Sequence, residues 1–203
     1  MIILGLTGSI GMGKSTTAGF FTEAGIPVQN ADEVVHALYR GRAVAPVEAA
    51  FPGVAENGVI DRARLSRALA GKPENFEKLE AIVHPLVREE RDRFLEKARA
   101  DEAPIAVLDI PLLFETGAER AVDYVLVVTC DPAIQRERVL ARPDMTVEKF
   151  ETVLKRQLGD GEKRARADYI VDTGHGIDEA RAAVGHIIAE LKNKAADDAA
   201  QKD

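Results

Sequence analysis

The sequence has only one cysteine, Cys130, among its 203 residues. A single cysteine excludes an internal disulfide and suits a reducing compartment, so we expect a cytoplasmic protein. We expect Cys130 itself to be a small buried residue at the end of a strand. No basic segment precedes the apolar start of the chain, which extends over only about six residues before Gly8, and this predicts neither a signal peptide nor a membrane span.

An excess of basic charge is also missing. The formal net charge is −7 at pH 7, which argues against a nucleic-acid partner because nucleic-acid surfaces use clustered lysine and arginine. Internal repeats and a long Pro/Ser linker are absent as well. The basic residues concentrate late in the chain, where residues 131–166 hold nine Lys or Arg against seven Asp or Glu. This segment suits a lobe that covers an anionic ligand.

What the sequence does contain is a phosphate-binding pattern at its start. A short apolar run is followed by Gly8-x-x-x-x-Gly13-Lys14-Ser15, the spacing of a P-loop. The glycines at 8, 11 and 13 let backbone N–H groups approach phosphate oxygens. Lys14 offers a cation to the outer phosphates, and Ser15 offers a hydroxyl to Mg²⁺. A chance match in a glycine-rich turn is the alternative, but a strand-like run precedes all four fixed positions and a helix-like run follows them.

A second predicted strand, 26–29, ends at Asn30-Ala31-Asp32. Ligands of open α/β sheets bind beyond the carboxyl ends of the strands, so Asp32 should lie at the same sheet edge as the phosphate loop. Asp32 also begins a helical pattern. It is therefore either the N-cap of that helix or a base that accepts the proton of an attacking hydroxyl, and the spacing leaves both interpretations open.

Residues 42–103 contain no convincing parallel strand. Their apolar spacing predicts a short extended segment at 59–60 and helices at 61–69, 73–83 and 86–98. His84 and Pro85 should separate the last two helices, because a residue before proline avoids the α region. His84 is then either a local packing residue or a contact to substrate. An all-helical insert between strands is typical of the acceptor lobe of a small kinase.

A third predicted strand, 105–108, ends at Asp109. A strand followed by aspartate has the form of a Walker B element, whose carboxylate steadies Mg²⁺, although many unrelated strands also end in aspartate. The apolar residues that follow should wall an acceptor pocket, with Leu112 in the wall and Glu115 near its mouth.

A fourth strand, 124–128, is followed by two short helical patterns that meet at Arg142. This arginine-rich pair looks like a closing lid. Its guanidinium groups would meet the charge on a transferred phosphoryl group, although arginine is also common on solvated helix faces. Arg138 and Arg142 share a helix face, and the hinge position favours Arg142. A fifth strand, 168–172, leads to a turn expected near the base of a nucleotide.

This order of segments predicts an α/β fold of the P-loop NTPase type, with a five-stranded parallel sheet and helices on both faces. We expect a nucleotide-binding core of 1–30, 104–131 and 167–191, an inserted helical acceptor lobe of 31–103, a lid of 132–166 and a disordered tail of 192–203. A GTPase is disfavoured, because the only Asn-Lys pair in the tail, Asn193-Lys194, is not followed by the aspartate that reads guanine.

Five sequence features together resemble the dephospho-CoA kinase family. They are Thr7-Gly8-Ser9-Ile10-Gly11-Met12-Gly13-Lys14-Ser15-Thr16, Asn30-Ala31-Asp32, Val83-His84-Pro85-Leu86, Pro111-Leu112-Leu113-Phe114-Glu115, and Gln135-Arg136 followed by Arg142. The resemblance covers about residues 2–190 and implies ATP-dependent phosphorylation of the ribose 3′-hydroxyl of dephospho-CoA, the last step of CoA biosynthesis, with Mg²⁺. The alternatives are a nucleoside or nucleoside-monophosphate kinase, and a nucleotide-binding protein that switches without phosphorylating anything.

The resemblance also implies roles for individual residues. Asp32 matches the proposed base of the family, and Arg142 matches its lid arginine. The ATP loop corresponds to Gly8, Gly11, Met12, Gly13, Lys14, Ser15 and Thr16. Acceptor contacts are expected from His84, Leu112, Glu115 and Arg136, and metal contacts from Ser15 and Asp109.

Two departures from the family pattern stand out. The family often has Asp at the position of Asn30, and Asn30 cannot act as a base. In the loop, the family's glycine at position 9 is serine here and position 12 is methionine. We expect Ser9 and Met12 to point toward the exterior of the loop.

Overall fold

The computed structural model describes residues 1–200. In chain order the elements are β1 Ile2–Gly8, α1 Lys14–Glu23, β2 Val28–Asn30, α2 Ala31–Leu38, α3 Val44–Ala50, β3 Ala55–Glu56, β4 Val59–Ile60, α4 Arg62–Leu69, α5 Pro73–Ala100, β5 Ile105–Asp109, β6 Tyr124–Thr129, α6 Pro132–Leu140, α7 Val147–Leu154, α8 Asp160–Ala165, β7 Tyr169–Asp172 and α9 Ile177–Ala200. The chain forms two compact units. Among the described residues, the first contains 1–28 and 98–200, and the second contains 29–97.

The main sheet has five parallel strands in the order β2-β5-β1-β6-β7, and four of them lie wholly in the first unit. The predicted five-stranded parallel sheet is therefore confirmed, with strand ends that differ by one or two residues. β1 lies in the middle, with β5 on one side and β6 on the other. Because Leu6 of β1 is in register with Asp109 of β5, the carboxyl ends of these two strands lie side by side.

Alternate residues of the central strands pack into two separate apolar clusters. Leu4 and Leu6 of β1 join Phe20 and Phe21 of α1 and the inner face of α9. On the other face, Val125 and Val127 of β6 join a smaller cluster that includes Leu113 and Phe114. Because successive side chains of β6 point to opposite faces of the sheet, they pack against helices and loops on both faces. Each fully buried large side chain contributes about 1.5–3 kcal/mol.

The second unit has its own core, formed by α2, α3, α4, the first part of α5 and a small antiparallel hairpin. The extended segment predicted at 59–60 is β4 of that hairpin. Its turn residues, Asn57 and Gly58, both have positive φ, the conformation that a tight hairpin turn demands. The predicted helix 61–69 is also present as α4, and Asp61 is its N-cap, accepting the Arg64 N–H at 2.9 Å.

The predicted break at His84 and Pro85 is wrong. Helix α5 runs without interruption from Pro73 to Ala100, with Pro85 inside it. Proline in a helix interior removes one backbone hydrogen bond, at a cost of about 3 kcal/mol. Apolar residues on both sides of Pro85 pack into the same core of the second unit, among them Val83 and Leu86. Their shared burial offsets the cost of the proline.

The disorder expected from residue 192 is also corrected, because α9 continues through Ala200. Lys194 lies within this extension and contacts side chains from earlier in the fold. Its ammonium is 2.8 Å from the Tyr169 hydroxyl and lies over the ring of Tyr124. Ala195 packs against the main cluster of the first unit. These contacts order a segment whose composition alone predicts fraying. Residues 201–203 of the predicted tail lie outside the described residues.

Across residues 1–200, every helix is too short or too polar to qualify as a candidate membrane span.

Candidate active site

The phosphate loop is the turn between β1 and α1, and its shape depends on two glycines. Gly11 and Gly13 have φ values of 79° and 92°, which L side chains rarely adopt. A Cβ on Gly11 would come within 2.4 Å of the Val139 side chain, and one on Gly13 would lie 3.0 Å from Thr173. No side chain in residues 1–200 caps the start of α1. The first N–H groups of α1 are therefore open to an anion.

The side chains of Ser9 and Met12 do not point toward the loop exterior as predicted. Both residues are buried, and Met12 belongs to the main cluster of the first unit. The Cys130 N–H donates to the Met12 sulfur at 3.1 Å. Sequence spacing gives no sign of this contact, because the partners are 118 residues apart. The position of Cys130 itself is as predicted, buried directly after β6, and its burial raises the pKa of the thiol.

Lys14 and Asp109 form the central ion pair of the site. The Lys14 ammonium is 2.5 Å from Oδ1 of Asp109, whose carboxylate is completely buried. Lys14 opens α1 and Asp109 closes β5, so the pair follows from the adjacent ends of β1 and β5. The lysine side chain keeps 14% of its surface exposed. The buried carboxylate thus holds the lysine at the mouth of the phosphate loop.

Oxygen donors for a metal ion are present next to this pair. Within residues 1–200, no three His, Cys, Asp or Glu side chains group as a metal site by themselves. The exposed Ser15 hydroxyl and the Asp109 carboxylate are nevertheless the kind of donor that Mg²⁺ prefers. At nucleotide sites Mg²⁺ usually takes its remaining ligands from phosphates and water. The donor set of this loop therefore fits Mg²⁺ bound together with a triphosphate.

A cavity of about 340 Å³ adjoins the phosphate loop. Its lining combines loop and helix residues with two arginines and an apolar wall: Gly11, Gly13, Thr16, Thr17, Phe20, Arg138, Arg142, Thr173, Gly176, Ile177 and Ala180. The turn after β7, predicted to lie near the base of a nucleotide, contributes Thr173 and Gly176. An apolar wall next to cations and loop amides suits a ligand with a flat ring and an anionic tail.

The two arginines of this cavity differ in their partners. The Arg138 guanidinium donates to the Thr173 hydroxyl at 2.9 Å and to the Thr173 carbonyl at 2.8 Å. Arg142 is exposed, and its guanidinium has no hydrogen bond or ion pair within residues 1–200. Arg136, also on α6, is exposed and unpartnered in the same part of the chain. Arg138 is thus fixed by the protein, whereas Arg142 and Arg136 remain available to a ligand.

The segment after β5 only partly matches its predicted role. Leu113 and Phe114 are buried in the smaller apolar cluster and do not wall an open pocket, while Leu112 is exposed. Glu115 accepts the Leu158 N–H at 2.7 Å and lies 3.0 Å from the ammonium of Lys163. Burial raises the pKa of Glu115, but the Leu158 hydrogen bond and Lys163 outweigh it, so the pKa lies below its usual value.

Asp32 and His84 belong to the second unit. The N-cap of α2 is Asn30, whose side chain accepts the N–H groups of Asp32 and Glu33 at 2.9 and 3.2 Å. The interpretation of Asp32 as that N-cap is therefore wrong. The Asp32 carboxylate is exposed and has no hydrogen bond or ion pair within residues 1–200. His84 is exposed on α5.

Comparison with known proteins agrees with this geometry. The family model described as Dephospho-CoA kinase matches residues 2–179. The chain belongs to the dephospho-CoA kinase family. A dephospho-CoA kinase of Rhizobium meliloti is 63% identical over 192 residues, which cover 95% of this chain and 99% of the relative. This similarity supports a dephospho-CoA kinase over a nucleoside kinase.

Solved structures show the same fold. The crystal structure of TT1252 from Thermus thermophilus has a TM-score of 0.83 and 34% identity, and the match covers 94% of this chain and 97% of that one. A dephospho-CoA kinase from Campylobacter jejuni has a TM-score of 0.64 and 21% identity, with 93% and 96% of the two chains covered.

In this member of the dephospho-CoA kinase family, the cavity beside the phosphate loop contains residues that the sequence analysis did not assign to the site. Thr17, Phe20 and Ile177 line it. Thr17 and Phe20 have the i, i+3 spacing of ordinary core residues of α1, and Ile177 begins α9. The i, i+4 spacing places Arg138 on the same helix face as Arg142, but it does not predict the contact of Arg138 with Thr173. Gln135, named in the sequence only as part of the family resemblance, and Gln157 both bond the phosphate loop, and no local signal predicts these bonds because their partner Ile10 is more than a hundred residues away.

Proposed function

We propose that this chain transfers the γ-phosphoryl group of ATP to the ribose 3′-hydroxyl of dephospho-CoA. The products are CoA and ADP, and the reaction is the last step of CoA biosynthesis. The observation that carries the proposal is the Lys14–Asp109 pair, which fixes a partly exposed cation at a phosphate loop with an uncapped helix start. It occurs in a chain that the dephospho-CoA kinase family model matches over residues 2–179.

The phosphate loop binds the triphosphate in this proposal. Backbone N–H groups of Gly11 and of Gly13 to Thr16 contact the phosphate oxygens, and Lys14 neutralises charge on the outer phosphates. Ser15 and Asp109 would hold Mg²⁺, which when bound neutralises charge shared by the phosphates. The ring of the nucleotide occupies the cavity beside Phe20 and Ile177. Arg138 and Arg142 lie in the lining of the same cavity.

Asp32 accepts the proton of the attacking hydroxyl. The hydroxyl oxygen forms a bond to the γ-phosphorus while the bond to the β–γ bridging oxygen breaks, and ADP leaves with that electron pair. The proton passes to the Asp32 carboxylate. This role is supported by an exposed carboxylate without a protein partner in residues 1–200, in a helix whose cap is a different residue. Asn30 then serves the helix and leaves Asp32 free for chemistry.

The remaining assignments concern the acceptor and the lid. Arg142 neutralises charge on the transferred group, because guanidinium is always charged and can contact two oxygens. His84, Leu112, Glu115 and Arg136 contact the acceptor. Residues 132–166 close over the nucleotide, and residues 31–103 hold dephospho-CoA. We place the reaction in the cytoplasm, where ATP is available and the free Cys130 stays reduced.

An acceptor panel tests the proposal. Purified protein is incubated with Mg-ATP and, in separate reactions, with dephospho-CoA, adenosine, cytidine, AMP or CMP, and ADP release is measured. We expect ADP release only with dephospho-CoA, and mass spectrometry should show CoA as the product. Turnover with a nucleoside or a nucleoside monophosphate would instead support the alternative kinase. Binding of ATP without any acceptor-dependent turnover would support a nucleotide-binding switch.

A further inference from the structure

A single residue of the phosphate loop, Ile10, is held from both sides by glutamines. The Ile10 N–H donates to Oε1 of Gln157 at 3.1 Å, and the Ile10 carbonyl accepts from Nε2 of Gln135 at 2.7 Å. Both polar groups of this residue are therefore satisfied by side chains. The Ile10 N–H is consequently not available to a phosphate.

The two glutamines come from opposite ends of one arm, residues 136–156. Gln135 lies in α6 immediately before the arm and is buried. Gln157 follows the arm, shortly after the end of α7. The arm contains Arg142, and it makes up most of the predicted lid. Both of its ends are thus tied to the same loop residue.

Gln157 is itself held in place by its neighbours. The N–H of the next residue, Leu158, donates to Glu115 at 2.7 Å, and Glu115 pairs with the buried Lys163 at 3.0 Å. Leu158 also packs into the smaller apolar cluster. The position of Gln157 is therefore fixed by the protein before any ligand arrives.

A third side chain holds the far part of the loop. The Thr173 hydroxyl donates to the Met12 carbonyl at 2.9 Å, and Arg138 in turn donates to Thr173. With Ile10 and Met12 both fixed, the backbone between them has little freedom to turn. Preorganised N–H groups bind an anion without a cost of reorganisation at the moment of binding.

We propose that Gln135 and Gln157 are positioning residues of the phosphate loop, which act through Ile10 on nucleotide affinity. This inference rests on the proposed function only in that the loop binds the phosphates of ATP. Gln157 contributes an acceptor and Gln135 contributes a donor. Loss of either bond lets the loop turn away from its binding conformation, so nucleotide binding weakens before any acceptor is present.

Glutamate substitutions separate these two roles. A carboxylate at position 157 still accepts the Ile10 N–H, whereas a carboxylate at position 135 cannot donate to the Ile10 carbonyl. Gln157→Glu and Gln135→Glu add the same charge near the same loop, so an electrostatic penalty on nucleotide binding is common to both. Gln157→Leu removes the acceptor with a side chain of similar volume.

The experiment is calorimetric titration of each variant with Mg-ADP at about pH 8, where a carboxylate is ionised. We expect Gln157→Leu and Gln135→Glu to bind about tenfold more weakly than the wild type, the scale of one lost hydrogen bond. Gln157→Glu should bind clearly more tightly than Gln135→Glu. For Gln157→Leu, KM for ATP should rise while KM for dephospho-CoA stays unchanged.

The possible outcomes are distinct. Equal Mg-ADP affinities of Gln157→Leu and the wild type overturn the inference, as do equal affinities of the two glutamate variants. Circular dichroism melting of each variant identifies any that is unfolded, and if Gln135→Glu is unfolded, the comparison of Gln157→Leu with Gln157→Glu decides alone. A purely structural role predicts equal rises in both KM values. Failure of the wild type to bind Mg-ADP would contradict the proposed function itself.

Discussion

Lys14 beside the phosphate loop and Lys163 in α8 each pair with one carboxylate, yet the two pairs bury opposite partners. At the loop the carboxylate of Asp109 is completely buried and the lysine keeps 14% of its surface exposed. In α8 the lysine is completely buried, and the carboxylate of Glu115 keeps 16% exposed. A lysine–carboxylate pair therefore leaves the Lys14 cation partly exposed at the phosphate loop, whereas the Lys163 cation is buried in α8.

This difference separates a pair whose lysine faces a ligand from a pair whose lysine serves the scaffold. Burying a charge is costly unless it is paired, so each buried member stabilises only with its partner present. At the loop, the exposed member is the one that a phosphate would attract. In α8, the exposed member already has two protein contacts, to Lys163 and to the Leu158 N–H.

Removing the cation at the loop should change catalysis more than any other substitution below changes its readout. Lys14→Met should lower kcat by about 10³-fold, because one preorganised cation at the transferred phosphoryl group is lost. Steady-state assay of dephospho-CoA phosphorylation at a temperature where the variant is folded measures this. The matched control is Lys192→Met, an exposed lysine of α9, which should keep wild-type kcat. A similar kcat for both variants would remove Lys14 from the mechanism.

The next effect is on stability, in α8. Lys163→Met should lower the free energy of unfolding by about 3 kcal/mol, because Glu115 loses the partner of its charge. Urea denaturation measures the change. The double variant Lys163→Met with Glu115→Gln should recover part of the loss, since an uncharged pair needs no ion partner. A kcat loss comparable to that of Lys14→Met, in protein that is still folded, would end the distinction between the two pairs.

Asp32 differs from the members of both pairs because, in residues 1–200, its carboxylate has no protein partner. Asp32→Asn should lower kcat by about 10²-fold, the usual scale for a general base, with little change in the melting temperature. Glu33→Gln changes an exposed carboxylate in the same helical turn and should have a small effect on kcat. Equal kcat values for the two variants would show that Asp32 is not the base.

The smallest effect is the pH dependence of the scaffold pair. The pKa of Glu115 is lower in the folded protein than the value of about 4.3 in an unfolded chain. Its ionised form therefore adds stability above the unfolded pKa, and this contribution is lost as pH falls through the folded pKa. The wild type should exceed Glu115→Gln in unfolding free energy at about pH 7, and the gap should close toward about pH 3. A gap that is constant with pH would contradict this linkage.

Local sequence signals sufficed for the parts of the fold that depend on periodicity. The strands at 105–108 and 124–128 were predictable because buried parallel strands are continuous apolar runs. The loop spacing likewise predicted α1 and its lysine. The ion pair of Lys14 and Asp109 was not predicted, because it depends on which strands are neighbours.

Other features depend on contacts between distant residues and could not be predicted. Met12 turns inward because a buried Cys130 backbone group lies against it, and α5 passes through Pro85 because residues on both sides share one core. Asn30 and Asp32 both suit an N-cap, and only the backbone geometry shows which one has that role. Of the two glutamines that hold Ile10, Gln135 belongs to a feature of the family resemblance that gives no hint of its bond to the loop, and Gln157 has no signature in the sequence.

The burial of Cys130 makes the chain convenient for site-specific labelling. This thiol is the only one in the sequence, and it is both enclosed and held at a raised pKa by its burial. A maleimide dye reacts with exposed thiolates, so a cysteine introduced at the exposed position of Glu151 in α7 would take up the dye selectively. Fluorescence from the arm could then be followed during ATP binding without first removing the native cysteine.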